Sequence, residues 1–159
     1  MPPPKPKAKP KRAYVVRNSP IHGRGVFASR TIRKGETIIE YRGDRTTWKI
    51  ALERPPSDPD NPHHTFFFET SEGVVIDAGV RGNAARWINH SCNANCQSYE
   101  DDDDRVFIEA VRTIRAGEEI TYDYRLSLDG YLSKRTLAGY VCHCGTESCR
   151  GSLLVIPRK

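Results

Sequence analysis

The sequence has no apolar run that approaches the about 20 residues needed to cross a membrane. Apolar residues make up 37% of its 159 residues, and charged residues, prolines and glycines interrupt them throughout. The first twelve residues contain no apolar segment typical of a secretory signal, so we expect an intracellular protein without a membrane anchor. A chain of this length is typical of one domain and can bury about 70% of its unfolded surface.

Acidic residues are absent from residues 1–12, which contain four lysines, one arginine and five prolines. This segment accounts for the whole net charge of +5 and leaves 20 basic and 20 acidic side chains in the rest of the chain. The composition predicts a disordered basic tail. Its simpler interpretation is a solubilising tail, and the alternatives are weak nucleic-acid contact or methylation of its lysines. The neutral remainder argues against a DNA-binding domain.

Long crossover helices are also missing, which argues against a doubly wound α/β fold. The chain instead shows short segments rich in β-branched and aromatic residues and bounded by turn residues, which predict a mostly β fold. The predicted strands are Tyr14–Arg17, Gly25–Ala28, Thr37–Tyr41, Thr65–Thr70, Val74–Asp77, Arg105–Val111 and Glu119–Tyr124. One helix is predicted over Thr47–Arg54, and the proline-rich stretch Arg54–Pro62 is predicted to be a loop.

One pattern, A-x-R-T-I-R-x-G-E-x-I, occurs twice, at residues 28–38 and 110–120. Each copy predicts a strand, a glycine-containing turn and a second strand. The simpler interpretation is one favourable turn that is used twice. The alternative is two similar hairpins that each deliver tyrosines to one site, Tyr41 from the first copy and Tyr122 and Tyr124 from the second.

Five consecutive acids stand at Glu100–Asp104. Such a run is typical of a solvated loop tip. The alternative is a patch that attracts a basic substrate.

Cysteines are few but clustered, with three of five in the C-x-C-x4-C pattern of Cys142, Cys144 and Cys149. Cys142 and Cys144 are too close in sequence for an easy mutual disulfide, and a reducing compartment is expected. Clustered thiolates favour a tetrahedral Zn²⁺ site, which needs a fourth ligand. Cys92, Cys96 and His143 are the candidates. A site closed by four protein ligands would be structural and would hold the short C-terminal segment in place.

Four segments in a characteristic order identify a family. They are I-H-G-R-G-V-F at 21–27, R-W-I-N-H-S-C at 86–92, E-E-I-T-Y-D-Y at 118–124 and the C-terminal cysteine pattern. Together they resemble the SET-domain protein lysine methyltransferases with a post-SET zinc segment and without a pre-SET module, over residues 14 to about 153. The resemblance implies several small β-sheets and a pseudoknot between the N-H-S-C and T-Y-D-Y segments. The implied domains are a tail (1–12), a SET domain (13–125, with an insert at about 45–80) and a post-SET segment (126–159).

The resemblance implies S-adenosylmethionine and a lysine-bearing protein as substrates, which meet through a narrow channel. Tyr124 matches the catalytic tyrosine and Tyr41 a tyrosine that lines the channel. Tyr122 falls on the family's Phe/Tyr switch position, where a tyrosine hydroxyl can hold a water in the space that a dimethylated amine would need. This implies mono- and dimethylation with little trimethylation.

The resemblance also implies the cofactor and metal ligands. The expected cofactor-binding residues are His22, Gly23, Arg24, Gly25, Val26, Asn89, His90 and Leu153. Among them Arg24 would pair with the cofactor carboxylate and Leu153 would lie near the adenine. Cys92 becomes the fourth zinc ligand beside Cys142, Cys144 and Cys149, while Cys96 and His143 become non-ligands.

Ala94 departs from the family pattern, which has proline at this position, and no reactive group is lost by this change. The expected substrate is a histone, a histone-like protein or a ribosomal protein. The expected location is nuclear in a eukaryote, and cytoplasmic or a host nucleus for a bacterial protein. Two alternatives stay open, a catalytically idle SET domain that binds proteins and a zinc-stapled nucleic-acid-binding protein.

Overall fold

The computed structural model describes residues 2–4, 12–55, 66–126 and 133–155, apart from the side chain of Thr136. Most of the predicted basic tail, most of the predicted loop Arg54–Pro62 and the first residue of the predicted strand Thr65–Thr70 lie outside the described residues. Within them the chain is mostly β, as predicted. No helix of the described residues has the length and apolarity that a membrane span requires.

A seven-stranded sheet forms most of the molecule. Its main path runs β1-β2-β10-β8-β9-β3, and β7 also pairs with β10. The strands are β1 (Tyr14–Asn18), β2 (Arg24–Ala28), β3 (Thr37–Glu40), β7 (Asn89–His90), β8 (Cys96–Glu100), β9 (Val106–Ala110) and β10 (Glu119–Tyr122). β10 is the hub of this sheet, because it pairs antiparallel with β2 and parallel with both β7 and β8.

A smaller sheet is built from the central part of the chain. It has the order β4-β6-β5, with β4 at Asp44–Thr46, β5 at Phe67–Glu69 and β6 at Val75–Asp77. Helix α1 (Trp48–Glu53) follows β4 and matches the predicted helix. The hydroxyl of Thr47 accepts a hydrogen bond from the backbone N–H of Ile50 and so caps its first turn.

Both sheets share one core of buried aliphatic side chains. The fully buried side chains include Val26 of β2, Ile76 of β6, Ile108 of β9 and Ile120 of β10. Tyr41 and Tyr122 lie in the same cluster, and Tyr124 packs against it. The candidate catalytic tyrosines are therefore held by the core of the protein rather than by a surface loop.

The repeated sequence pattern has a structural counterpart, but the two copies do not form hairpins. The strands that flank one copy pair with those that flank the other. β2, which leads into the first copy, pairs with β10 at the end of the second, and β9, which leads into the second copy, pairs with β3 at the end of the first. Ala28 donates its backbone N–H to Glu118 at 2.8 Å, and Ala110 makes the equivalent bond to Glu36 at 3.0 Å. The predicted local hairpins are wrong: each turn is closed within its own copy, by Glu36 N–H to Arg33 and by Glu118 N–H to Arg115 at 3.0 Å, but the flanking strands pair with those of the other copy.

Five elements were not predicted: β4, β7, β8, a 3₁₀ helix at Ala84–Trp87 and helix α2 at Lys134–Ala138. The predicted strand Glu119–Tyr124 ends two residues early, at Tyr122. The reason is that the backbone N–H of Tyr124 donates to the His90 ring, and Arg125 has a positive φ of 50°.

Candidate active site and metal centre

Three tyrosines converge where β10 and β3 end. Tyr122 is the last residue of β10, Tyr124 follows two residues later, and Tyr41 follows β3 directly. The rings of Tyr122 and Tyr124 lie 4.9 Å apart between centroids. Tyr41 lies close enough to both to act on them electrostatically. The structure therefore brings together the three tyrosines that the sequence assigned to the reaction.

Hydrogen bonding distinguishes the three hydroxyls. Tyr41 donates to the carbonyl of Phe66 at 3.0 Å, and Tyr124 donates to the carbonyl of Ile88. The Tyr122 hydroxyl forms no hydrogen bond with any described residue. Burial raises the pKa of all three phenols above the ordinary value, and neighbouring tyrosines raise the pKa values of Tyr41 and Tyr122 further. Each phenol therefore stays neutral at physiological pH.

His90 connects the tyrosines to the cysteine cluster. Its side chain is 1% exposed, its Nδ1 accepts the backbone N–H of Tyr124 at 3.0 Å, and its Nε2 lies 3.4 Å from the sulfur of Cys92. Burial lowers the pKa of His90, with the opposing charge of Asp123 and the reinforcing charge of Arg150 as smaller causes. A neutral ring that accepts at Nδ1 carries its proton on Nε2, directed to the sulfur. This side-chain role adds to the cofactor contact that the family resemblance implied for His90.

Asn89 fixes the segment at 22–25 against β10. Its amide nitrogen lies within hydrogen-bonding distance of the His22 carbonyl at 3.1 Å, the Arg24 carbonyl at 3.0 Å and the Glu119 carboxylate at 2.9 Å. Gly25 leaves room for this contact, because a Cβ atom there would lie 2.2 Å from Oε1 of Glu119 and would push the carboxylate away from Asn89. The segment predicted to bind cofactor thus has a defined backbone shape.

Arg24 is exposed and forms no ion pair with any described residue. Its guanidinium lies 5.8 Å from the centroid of the Trp87 ring, a distance compatible with a cation–π contact. The neighbouring Arg86 has a buried Nε atom without a hydrogen-bond partner among the described residues. Arg24 and Arg86 are therefore two cationic groups with donors to spare beside the Asn89 segment, which fits a ligand that carries a carboxylate.

The four predicted metal ligands come together. The sulfurs of Cys92, Cys142, Cys144 and Cys149 all lie within 4.8 Å of one another, so this set could hold a metal ion. Tetrahedral Zn²⁺ with Zn–S bonds of about 2.3 Å places sulfurs about 3.8 Å apart. The sulfurs of Cys92 and Cys142 lie 3.7 Å apart. Cys96 and His143 are not in this set, as the resemblance implied.

Hydrogen bonds to the cysteine sulfurs stabilise their thiolate forms. Backbone N–H groups donate to Cys92 from Arg150 at 3.3 Å and to Cys142 from Cys144 at 3.4 Å. Burial of Cys144 opposes its ionisation, but hydrogen bonds, first that of the Thr146 hydroxyl at 3.2 Å, outweigh burial and lower its pKa to about 5. A thiol that ionises readily is suited to metal binding.

The C-terminal segment packs against the residues that follow β10, next to Tyr124. Arg150 forms a two-point ion pair with Asp123 at 2.6 and 3.1 Å. Leu154 bridges to Leu126 in parallel, and the N–H of Val155 donates to the Leu126 carbonyl at 2.8 Å. Leu153, predicted near the adenine, is partly exposed on this docked segment.

A groove with a volume of about 450 Å³ lies beside Tyr41. Four arginines line it: Arg42, Arg45, Arg81 and Arg105. Ion pairs hold the acidic run at 100–104 in place, because Asp101 binds Arg105 at 2.7 Å and Asp104 binds Arg45 at 3.4 Å, while Asp102 and Asp103 stay exposed. These ion pairs favour the solvated loop tip over a patch that attracts a basic substrate.

Comparison with known proteins places this geometry in a family. The SET domain family matches residues 23–125. Histone-lysine N-methyltransferase 2B of Homo sapiens is 37% identical over 143 residues, which are 88% of this chain and 5% of that protein. Histone-lysine N-methyltransferase ASHH3 of Arabidopsis thaliana is 39% identical over 141 residues, 86% of this chain and 37% of that protein. The chain therefore spans a small part of these relatives.

A solved structure agrees with the sequence matches. The complex described as ctPRC2 in an autoinhibited conformation bound to S-adenosylmethionine superimposes with a TM-score of 0.63 at 28% identity. The match covers 71% of this chain and 15% of the other. The residues at 23–125, the mostly β fold and the related enzymes agree, and the chain belongs to the SET-domain family.

Proposed function

We propose that this chain is a protein-lysine N-methyltransferase that transfers a methyl group from S-adenosylmethionine to the ε-amine of a lysine in a basic protein such as a histone. The observation that carries the proposal is the group of three neutral tyrosines, Tyr41 and Tyr122 buried and Tyr124 partly buried, beside the segment that Asn89 holds. Relatives named histone-lysine N-methyltransferases support the reaction class. A solved relative bound to S-adenosylmethionine supports the cofactor.

The proposed reaction needs no strong base. S-adenosylmethionine, when bound, supplies an electrophilic methyl group on a sulfonium. The receiving amine must be neutral, and a lysine with a pKa near 10.4 is only about 0.4% neutral at pH 8. Burial among Tyr41, Tyr122 and Tyr124 disfavours the ammonium form, and its proton can leave to water. The N–C bond then forms as the S–C bond breaks, so the protein contributes mainly alignment and exclusion of water.

The tyrosine hydroxyls have distinct proposed roles. Tyr124 commits its proton to the Ile88 carbonyl, so its oxygen is left as an acceptor toward the amine and the methyl group. Tyr41 is bound in the same way to Phe66 and shapes the channel wall. In the cofactor site we propose His22 to Val26, Asn89, His90 and Leu153, with Arg24 toward the carboxylate.

The cysteine set fits a structural Zn²⁺ in number, donor type and spacing. Cys92, Cys142, Cys144 and Cys149 would hold it and fill its coordination, so we assign it no part in methyl transfer. We divide the protein into a SET domain at 13–125 and a post-SET segment at 126–159. An intracellular location, nuclear in a eukaryote, accords with the related enzymes.

The proposed activity can be tested by incubation of the zinc-loaded protein with methyl-labelled S-adenosylmethionine and mixed histones, with mass spectrometry of the products. Lysine methylation is the expected result. Absence of transfer together with measurable cofactor binding would reject histones as substrates. Absence of both transfer and cofactor binding would favour the idle, protein-binding alternative.

Substitution Tyr122→Phe is expected to shift the products toward higher methylation states. The Tyr122 hydroxyl has no partner among the described residues, so its removal frees space without breaking a described hydrogen bond. We expect the wild type to give mono- and dimethyl-lysine and the variant to give trimethyl-lysine as well, with a free energy of unfolding changed by less than about 1 kcal/mol. Mass spectra of one peptide over time measure this, and abundant trimethyl-lysine from the wild type would contradict it.

Substitution Asn89→Ala is expected to weaken cofactor binding by about tenfold or more. The side chain holds two backbone carbonyls of the cofactor segment, and its loss also leaves the Glu119 carboxylate with one donor fewer, which costs about 1–3 kcal/mol of unfolding free energy. Calorimetric titration with S-adenosylmethionine and denaturant unfolding measure the two effects. Asn93→Ala, on an exposed neighbour, is the matched control, and equal effects in both variants would refute this role.

A further inference from the structure

A basic surface lies at the end of β2 that is remote from the candidate cofactor segment. It is formed by the two repeat loops, residues 29–36 after β2 and 111–118 after β9, which we call the paired loops. Ile32 and Ile114 join the loops, since each donates its N–H to the carbonyl of the other at 2.8 Å. Both isoleucines have 0% exposure, so the loops are anchored to the core and are not free tips.

The residues beside the two isoleucines point outward. Neighbours in an extended segment alternate between faces, and Arg33 and Arg115 are both exposed. In the antiparallel bridge these two arginines are diagonal neighbours on one face, for which Cα atoms lie about 7–8 Å apart. Like charges at this distance repel each other, so the arrangement favours binding of an anion between or along them.

The paired loops have a net charge of +3, with the acids Glu36 and Glu118 and the bases Arg30, Arg33, Lys34, Arg112 and Arg115. Arg17 of β1, which donates to the Gly117 carbonyl, raises the net charge of this surface to +4. Only Arg30 has an acidic partner among the described residues, Glu36 at 2.7 Å. Arg17 and Arg112 donate to backbone carbonyls, at 3.2 Å and at 3.3–3.4 Å, which leaves their charges uncompensated.

The net charge of the chain after residue 12 is zero, but its positive and negative charges are separated along β9. The acidic run at 100–104 precedes this strand, and the second of the paired loops follows it. A strand of five residues spans about 16 Å, so the opposite charges lie at opposite ends of the sheet. The neutral composition argued against nucleic-acid binding only on the assumption of an even charge distribution, which the structure contradicts.

The chain also enters the fold at this surface. Ser29 donates its N–H to the Ala13 carbonyl at 2.9 Å and its hydroxyl to the Arg12 carbonyl. Arg12, the last base of the N-terminal basic segment, therefore lies at the edge of the paired loops.

We propose that the paired loops bind the phosphate backbone of nucleic acid without sequence preference. The cations are spread over two loops instead of converging on one pocket, which suits a chain of phosphates better than a single phosphate group. Arginine side chains with free N–H groups are suited to phosphate oxygens. This binding does not depend on methyl transfer or on the cofactor, and it differs from contact through the N-terminal tail alone.

The test is fluorescence anisotropy of a labelled DNA duplex of about 20 base pairs with the full chain, between about 50 and 200 mM salt. The charge reversal R33E/R115E is expected to raise Kd at least about tenfold. It should also make the negative slope of log K against log salt shallower by about 1.8, since each phosphate contact contributes about 0.9 to its magnitude. The control R42E/R81E reverses two exposed arginines of the groove beside Tyr41 and is expected to leave Kd within about twofold of the wild type.

Two results would overturn the proposal. One is an unchanged Kd and salt slope in R33E/R115E while K5Q/K7Q/K9Q/K11Q abolishes binding, which would assign the contact to the tail. The other is displacement of the duplex by polyglutamate at equal charge, which would show general polyanion binding. Unchanged thermal unfolding confirms that each variant is folded, and R33Q/R115Q replaces the reversal if that variant does not fold.

Discussion

Substitution Cys144→Ser is expected to abolish both zinc binding and methyl transfer. The purified wild type should contain one zinc per chain by elemental mass spectrometry, and the variant less than about a tenth of that. A serine hydroxyl is a far weaker zinc ligand than a thiolate, and at Cys144 hydrogen bonds outweigh the cost of burial and lower the pKa of the thiol to about 5.

Loss of the metal should release the C-terminal segment. Helix α2 has five residues, and few apolar side chains of the region, chiefly Cys142 and Leu154, are buried. Since structural zinc contributes about 10–16 kcal/mol to the folding of small zinc modules, so small a core cannot replace it. Amide hydrogen exchange over 133–155 should therefore reach that of an unfolded segment, while the strands at 106–122 stay protected.

Cys96→Ser provides the matched control for this prediction. Cys96 is 4% exposed in β8 and lies outside the set of four clustered thiols. This variant should keep one zinc per chain and keep its methyl transfer, at a cost of about 1–3 kcal/mol for a buried hydroxyl. Full zinc in Cys144→Ser, or equal zinc loss in both variants, would contradict the assignment of the ligands.

The elements that were predicted correctly are those with a local cause. Short segments of β-branched and aromatic residues between turn residues define β1, β2 and β6 to within one residue. The Thr47 cap and the prolines after Arg54 define α1 in the same way. Three of the four clustered cysteines are likewise close together in sequence.

The elements that were not predicted depend on pairing with strands that are distant in sequence. β8 reads C-Q-S-Y-E, which lacks β-branched residues, and it is a strand because β9 pairs with it along its whole length. β7 has two residues and exists through its parallel pairing with β10. The pairing of strands between the two repeats was missed for the same reason, because two identical local patterns do not indicate whether each copy pairs with itself or with the other.

The same distinction applies to the candidate site. Family motifs placed the tyrosines and the four cysteines together, but not the contacts between these groups. The His90 ring between Tyr124 and Cys92 and the ion pair of Asp123 with Arg150 connect residues far apart in sequence. The one sequence feature that could have indicated the ion pair with Arg150 is Asp123 itself, an acid between the two tyrosines of T-Y-D-Y. Since Asp123 is next to Tyr124, docking of the C-terminal segment and placement of the tyrosine are coupled.

Substitution Tyr124→Phe is expected to lower kcat for methyl transfer by about 100-fold or more while the affinity for S-adenosylmethionine stays within about threefold of the wild type. The hydroxyl oxygen is a fixed acceptor, because its proton is committed to the Ile88 carbonyl and burial raises its pKa. An acceptor fixed in advance next to developing charge is worth about 3–4 kcal/mol in comparable sites, which corresponds to this loss.

The unfolding free energy should fall by only about 1 kcal/mol, because one hydrogen bond to a carbonyl is lost. Tyr99→Phe is the matched control, since its hydroxyl also makes one hydrogen bond, with Thr37 at 2.8 Å, but lies on β8 away from the three tyrosines. It should lose similar stability and no activity. Single-turnover assays and calorimetric titration of all three proteins separate catalysis from binding. A Tyr124→Phe variant with wild-type kcat would exclude this hydroxyl from the reaction, and a loss equal to that of Tyr99→Phe would reduce its role to stability.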